Sequence, residues 1–499
     1  MKKIIAIIAI ISFVSCDPDL DIDSEFLTTG SQIDDFASNP ENAKRLIRAV
    51  ETAQYTRFKD DSRGEMMANI NFELMTDRIA QRPGLGSLTA NGFSFGNSRE
   101  TATANERIWI LYYKTIYDVN QALNSFLGTA PDTDEINQIR ARFRGLRAYC
   151  YFRLAQTYQH TYTNNPDAPG IPLYDGLELN DRSRSTLKEA YDFIIEDLEW
   201  AYNNIGDFDG TKEQLNKYSI AGIYARVLVE TGRDYNRAAV LAREAQGGGS
   251  LMSREQFLEG LSTLDNPEVL WGGENEGRNS GYSGFSNFFQ IFYRQNRSYI
   301  PNYYKTEMDV RLASSIPDTD WRREALPYFN DVDVAFQHRS VKFANYPKEA
   351  FRTRSLYISA YNRNGVDADF TYMRVSEMYL LEAEALARAG DGQATSVLTS
   401  FVQTRDPSYT VSGDILDAIY LQRQIELWGE GHGLFDMKRF GKGVTRDYPG
   451  SRHRSHTDIV TDVYDVWNYP PNSSVFVFQI PEDEILNNPE INKEDQHQF

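Results

Sequence analysis

The chain has 499 residues, of which 41% are hydrophobic and 13% aromatic, so it carries enough apolar material for a large core. A formal charge of −19 repels polyanions and argues against nucleic acid as a partner. With only Cys16 and Cys150, no disulfide framework can be built.

Met1-Lys2-Lys3 is a cationic lead into an apolar run from Ile4 to Val14, which is too short to span a bilayer and reads as a secretion signal over residues 1–15. Ser15-Cys16 ends it in the manner of a lipobox. This resembles a bacterial lipoprotein signal, with Phe13 where leucine is more usual, and the resemblance implies cleavage before Cys16 and acylation of it. Residues 16–40 are then an acidic tether. Asp17 to Asp23 lacks the glycine at the sixth and the carboxylate at the twelfth position of a calcium loop; no cofactor is expected, and a structural calcium ion is left open.

Helical spacing of apolar residues predicts helices from Glu41 to about Tyr55, Thr103 to Phe126 and Glu135 to Thr157. Asp77 to Arg99, rich in Gly, Arg, Asn and Phe, lies between the first two. Cys150, inside LRAYCYFRL, is expected to be a small core residue. Pro166, Pro169, Gly170 and Pro172 break the chain into an extended segment, after which Ser185 or Thr186 with Glu189 forms a capping box for the next helix.

Two stretches then repeat one logic. Lys217 to Gln246 gives a helix with small residues at Ala221, Gly222 and Ala225, a turn at Gly232-Arg233-Asp234, and a return helix rich in alanine. Thr371 to Gly390 is a second alanine-rich helix, turned by Gly390-Asp391-Gly392 into Ala394 to Thr404; its charged stripe, Glu377, Glu384, Arg388 and Asp391, must face water or a neighbour. Both read as tetratricopeptide-like hairpins, which must stack to bury their faces. The predicted class is predominantly all-α, in the divisions 41–246 (helical), 247–370 (irregular) and 371–499 (helical).

The irregular division should contain short local elements. Within it, Trp271 to Tyr304 interleaves aromatic rings with Gly, Asn, Ser, Arg and Gln. Rings that stack on the apolar face of a pyranose, beside groups that bond hydroxyls, suit carbohydrate recognition. Farther on, Asp414 caps a helix from Ile415, and IELWGEGHGLFDMKRFG places Glu426, Glu430, Asp436 and Arg439 around a glycine-rich turn, where a structural ion-pair network is expected. His453 and His456, in SRHRSH, are expected on a solvated surface, Val475 to Ile480 as a strand, and Pro481 at the start of a helical turn.

In this order, Cys16 with its signal, LRAYCYFRLAQTYQ, Gly170-Ile171-Pro172-Leu173, STLKEAYDFIIEDLEWA, YMRVSEMYLLEAEALARAG, QRQIELWGEGHGLFDMKRFG and FQIPEDEILNNPEIN resemble the SusD/RagB family. Gln424 and His432 depart from it, standing where arginine is more frequent. The resemblance implies a SusD-like α-helical fold with tetratricopeptide-like hairpins and no catalytic centre. It also implies an outer-membrane, cell-surface lipoprotein that captures glycan oligomers and delivers them to a SusC-like TonB-dependent transporter. The family builds its ligand face from loops outside the repeats. Two stretches here are the candidates: Asp77, Arg78, Arg82, Phe93, Phe95 and Asn97 in the first, and Trp271, Tyr282, Phe288, Tyr293, Tyr299, Tyr303 and Tyr304 in the second. A surface glycosidase with paired carboxylates, a receptor for peptide or glycoprotein, and a protein-scaffolding repeat are the competing readings.

Overall fold

The computed structural model describes residues 39–58, 64–81, 95–177, 180–261, 263–274, 306–324, 369–451, 453 and 468–497. The signal, Cys16 and its tether, Arg82, Phe93, Tyr282, Phe288, Tyr293, Tyr299, Tyr303, Tyr304 and His456 lie outside the described residues.

Helix α1, Pro40–Thr56, begins with proline at a position whose amide needs no partner, and Asn39 accepts the Glu41 amide at 3.0 Å. Its neighbour α2, Gly64–Leu74, is buried along its whole length and was not anticipated, because a helix enclosed on all sides shows no polar stripe. Strand β1, Ile79–Gln81, follows. Then come α3, Thr103–Gln121, continued by a π-helical turn over Ala122–Phe126, and α4, Asp134–Tyr158. The extended proline segment leads to α5, Leu187–Asn204, with the predicted capping box: Thr186 accepts the Glu189 amide and Glu189 accepts that of Thr186.

The first hairpin is α6, Lys217–Thr231, and α7, Tyr235–Gln246, turned at Gly232, whose φ of 66° is left-handed. After α8, Arg254–Glu259, come β2, Val269–Gly273, β3, Thr306–Met308, α9, Val310–Ser314, and β4, Phe370–Arg374. The second hairpin is α10, Val375–Arg388, with α11, Gln393–Gln403. The helix predicted from Thr371 therefore starts later. Phe370-Thr371-Tyr372-Met373 is β-branched or aromatic at most positions and pairs with β2 instead.

Helices α4 to α7, α10 and α11 pack in succession, each on the next, so the two hairpins stack as expected. Close approach is made by Gly222 of α6, where a Cβ would collide with the sulfurs of Met373 and Met378. Charges fix the stack. Arg226 of α6 donates to Glu377 of α10 at 2.7 and 2.5 Å, while Arg243 and Gln246 of α7 donate to Glu382 at 2.8 and 2.6 Å. The charged stripe of α10 thus meets neighbouring helices rather than water, with Glu377 and Glu384 both buried.

The carboxyl-terminal part supplies α12, Ile415–Glu426, capped by Asp414, α13, Gly433–Arg439, the short pair β5, Val444–Thr445, with β6, Asn468–Tyr469, and α14, Glu482–Asn487. Val475 to Ile480 is not a strand. Ser474–Phe476 is one 3-10 turn, and the extended residues beyond it bond outward, Phe478 N to Thr157 O at 3.0 Å and Gln479 N to Ser98 O at 2.8 Å, pinning the tail to the ends of other segments.

Candidate ligand-binding face

One end of each candidate stretch joins the fold at a single strand pair. Strand β1 pairs antiparallel with β3, and the register puts Gln81 opposite Thr306. Gln81 is where the first stretch leaves the described fold, and Thr306 is where the chain returns from the second. The β2–β4 pair repeats the arrangement: Gly273, leading into the aromatic insertion, faces Phe370, where the chain comes back from the far end of that division. A third root is tied to the first. The Asp77 carboxylate accepts the Thr445 amide of β5 at 3.0 Å, and Arg311 spans the carbonyl of Thr445 at 2.6 Å and Asp77 at 3.3 Å.

Of the site residues singled out in the first stretch, the described ones sit at or under these roots. Asp77 alone keeps partial exposure, and burial raises its pKa against the bond from Thr445 and the charge of Arg311. Arg78 is buried and makes a bidentate pair with Glu73 besides donating to Leu427 O at 3.1 Å. Phe95, buried with a left-handed φ of 60°, sits edge-on to Tyr469 with the Arg446 guanidinium 5.0 Å over its ring. Asn97 donates to Asn71 at 2.5 Å in the interior.

Trp271 corrects the expectation of a ligand-facing ring. It is 1% exposed, stacked on Tyr372 at 4.4 Å and edge-on to Tyr149 at 5.1 Å. Its place on β2 turns it into the core, where it packs between α4 and β4. His453 is a second correction. The pattern SRHRSH reads as solvated surface, yet His453 is buried with Nε2 2.9 Å from Asp309. Its partner lies 144 positions earlier, beyond the reach of any local pattern.

The carboxylates around the glycine-rich turn form the expected ion-pair network. Glu426 accepts from Arg322 at 2.9 Å and Arg374 at 2.8 Å, Glu430 accepts from Arg374 at 2.8 and 2.9 Å, and Asp436 accepts from Arg423 and Arg439. Sequence reasoning missed Glu268, which joins this network from the start of β2 by accepting from Arg374, Arg405 and Ser376. Burial raises the pKa of Glu426, but the charges of Arg405, Arg374 and Arg322 together hold it well below the ordinary carboxylate range. Together these ion pairs tie the start of β2 and the end of β4 to α12 and the turn after it.

Among the described residues no group of three or more His, Cys, Asp or Glu side chains could hold a metal ion, and no helix is long and apolar enough to cross a membrane. An open depression of about 570 Å³ lies elsewhere, between Leu173, Asp181 to Ser185, Glu189 and Glu490. Its lining has one apolar side chain, Leu173, and no ring, so it offers nothing for a sugar face to stack on.

Two family profiles match the chain: one described as "Starch-binding associating with outer membrane" over residues 27–228, and one described as "SusD family" over residues 336–497. SusD-like protein P2 of Formosa agariphila is 25% identical over 391 residues, which is 71% of this chain and 74% of that protein. Among solved structures, a SusD-like carbohydrate binding protein from Bacteroides vulgatus shares the fold with a TM-score of 0.75 at 24% identity, over 93% of this chain and 99% of the other. Surface glycan-binding protein A from Bacteroides thetaiotaomicron, solved in complex with laminarihexaose, shares it with a TM-score of 0.67 at 16% identity, over 91% and 99%. With both profiles, the curated relative and the α-helical architecture in agreement, this chain belongs to the SusD/RagB family.

Proposed function

We propose that this protein is a lipid-anchored receptor of the outer membrane that captures glycan oligomers and hands them, uncleaved, to a SusC-like TonB-dependent transporter. The observation that carries it is the register of one small sheet: Gln81 and Thr306 are partners, so one end of the Gly-, Arg- and Asn-rich first stretch and one end of the ring-rich second stretch are rooted side by side on the helical body. Arg82 and Phe93 from the first stretch and Tyr282, Phe288, Tyr293, Tyr299, Tyr303 and Tyr304 from the second are the proposed contacts, with Cys16 carrying the anchor. Support comes from the starch-binding and outer-membrane description of one matching profile and from the laminarihexaose held by a protein of the same fold. Engagement of Glu426, Glu430 and Asp436 by arginines favours capture over hydrolysis.

Titration calorimetry of the mature protein against a panel of oligosaccharides, laminarihexaose among them, tests this directly, with chromatography of each mixture for shortened products. Binding of at least one sugar is expected, with its chain length unchanged after prolonged incubation. Replacing Tyr299, Tyr303 and Tyr304 together by alanine should weaken it while the helical circular dichroism persists. Release of shorter sugars would refute the receptor function, as would binding indifferent to those three rings.

A further inference from the structure

The β1–β3 root and the segment after β5 meet at one carboxylate. Asp309 directly follows β3, and its amide donates to the carbonyl of Arg78, just before β1, at 2.9 Å. Its Oδ1 accepts the amides of Arg311 and Leu312 at 2.9 and 3.4 Å and Nε of Arg311 at 3.1 Å. Its Oδ2 accepts the Tyr448 hydroxyl at 2.6 Å and faces Nε2 of His453 at 2.9 Å. An ionised carboxylate only accepts, so Nε2 carries the imidazole proton. The Arg311 guanidinium closes the assembly 4.0 Å over the Tyr448 ring and reaches back to Thr445 and Asp77.

Capping explains half of this. A five-residue helix needs one acceptor at its start, which Oδ1 supplies, and serine or asparagine would serve as well. The second oxygen is spent on two side chains 139 and 144 positions away, both on the segment that follows β5. Only a carboxylate can cap a helix with one oxygen and accept two donors with the other. Asp309 is 2% exposed, so these bonds are shielded from competing water.

We propose that Asp309 is a positioning residue of the ligand face: through Tyr448 and His453 it locks the segment after β5 to the sheet in which one end of each candidate stretch is rooted. This rests on the receptor function proposed above for its meaning in binding, while the coupling itself is independent of any ligand. Asp77 performs the same task from the other side, holding β5 through the Thr445 amide, so its role is to place the face rather than to touch a sugar.

The test uses the full mature chain, unaltered and as Asp309→Asn, Tyr448→Phe and the double variant. Asparagine keeps the cap and loses an acceptor; phenylalanine removes one bond and leaves the ring. Amide hydrogen exchange followed by mass spectrometry should quicken roughly fivefold or more in peptides covering both Thr306–Met308 and Val444–Tyr448 in each single variant, with Val375–Gln403 unchanged. The double variant should exchange no faster than the more affected single one, because the bond that Tyr448→Phe removes is already lost in Asp309→Asn. Affinity for whichever panel oligosaccharide binds should fall roughly three- to tenfold in each single variant and no further in the double. Quickening in only one of the two peptides, or effects that multiply in the double variant, would overturn the proposal. Failure of every panel sugar to bind the unaltered protein would count against the receptor function alone, because the exchange data judge the coupling without a ligand.

Discussion

Replacing Glu384 by glutamine tests whether buried charge holds the second hairpin to the end of α13. The side chain is fully buried and accepts Nε of Arg388 at 2.9 Å and two nitrogens of Arg439 at 2.8 and 2.9 Å. Burial raises its pKa, but the charge and hydrogen bonds of Arg439, then the charges of Arg388 and Arg423, win and hold it at about 2 against an ordinary 4.5. That displacement corresponds to roughly 3 kcal/mol in favour of the ionised form in the folded protein. Glutamine has the shape of the neutral acid and none of its charge, so Glu384→Gln should cost about 3 kcal/mol at pH 7, at the lower edge of the ~3–5 kcal/mol typical of removing one partner from a buried pair. The sign with pH follows from the depressed value: the contribution is complete above pH 4.5 and disappears as pH falls towards 2. Urea unfolding of both proteins at pH 7, 5 and 3.5 reads the difference, in which the titrations of other groups cancel. A gap under about 1 kcal/mol at pH 7, or one that stays constant down to pH 3.5, would refute the reasoning.

Trp271→Ala should lower stability by about 3–5 kcal/mol as a core deletion, whereas Trp271→Phe should leave sugar affinity within about twofold; lost affinity at unchanged stability would return the ring to the ligand face. Glu51 behaves oppositely to Glu384. Its Oε1 accepts the Leu215 amide at 2.8 Å, Oε2 is buried with no hydrogen-bond partner among the described residues, and burial, against that amide and the charge of Arg142, pushes the pKa to about 8. Stability is therefore lost as pH rises from 4.5 to 8, and Glu51→Gln should be nearly neutral at pH 4 but stabilising by roughly 3 kcal/mol or more at pH 9, which denaturant titration at the two pH values checks. Cys150 is fully buried with its thiol pushed well above the usual pKa, so iodoacetamide should leave Cys150 unlabelled in the native protein, read by peptide mass spectrometry, and modify it only after unfolding; rapid labelling of Cys150 in buffer would contradict its burial.

What the sequence discloses and what it hides divide along one physical line. Amphipathic spacing, caps and breakers are local, and they identified α1, α3 to α7, most of α10, α11 and α12 to within a few residues, along with the capping box at Thr186 and the burial of Cys150. The tetratricopeptide-like pairing was legible because alanine and glycine recur at the faces that approach, and the stacking follows from them. Helix α2 escaped notice because burial on all sides erases its period, and α9 and α13 because five and seven residues are too short to establish one. The strand at Phe370–Arg374 was absorbed into the helix behind it, since its partner β2 lies about a hundred positions earlier.

The candidate face was legible as composition and illegible as geometry, for the same reason. Composition marked one stretch rich in Gly, Arg, Asn and Phe and a second dense in rings, but whether a given ring points outward depends on what the rest of the chain brings against it. Trp271 and Phe95 have the same chemistry as their outlying neighbours; the described fold buries them because Tyr372, Tyr149, Tyr469 and Arg446 arrive from elsewhere to cover them. Buried charge adds a constraint that apolar contact lacks. Two greasy surfaces can slide by a residue at modest cost, whereas Asp309 satisfies its donors in one register only, and a shifted β5 would leave a desolvated carboxylate facing empty space. Two polar candidates of the first stretch show the same dependence on distant partners: Asp77 accepts the Thr445 amide, and Arg78 donates to Glu73 and to the carbonyl of Leu427.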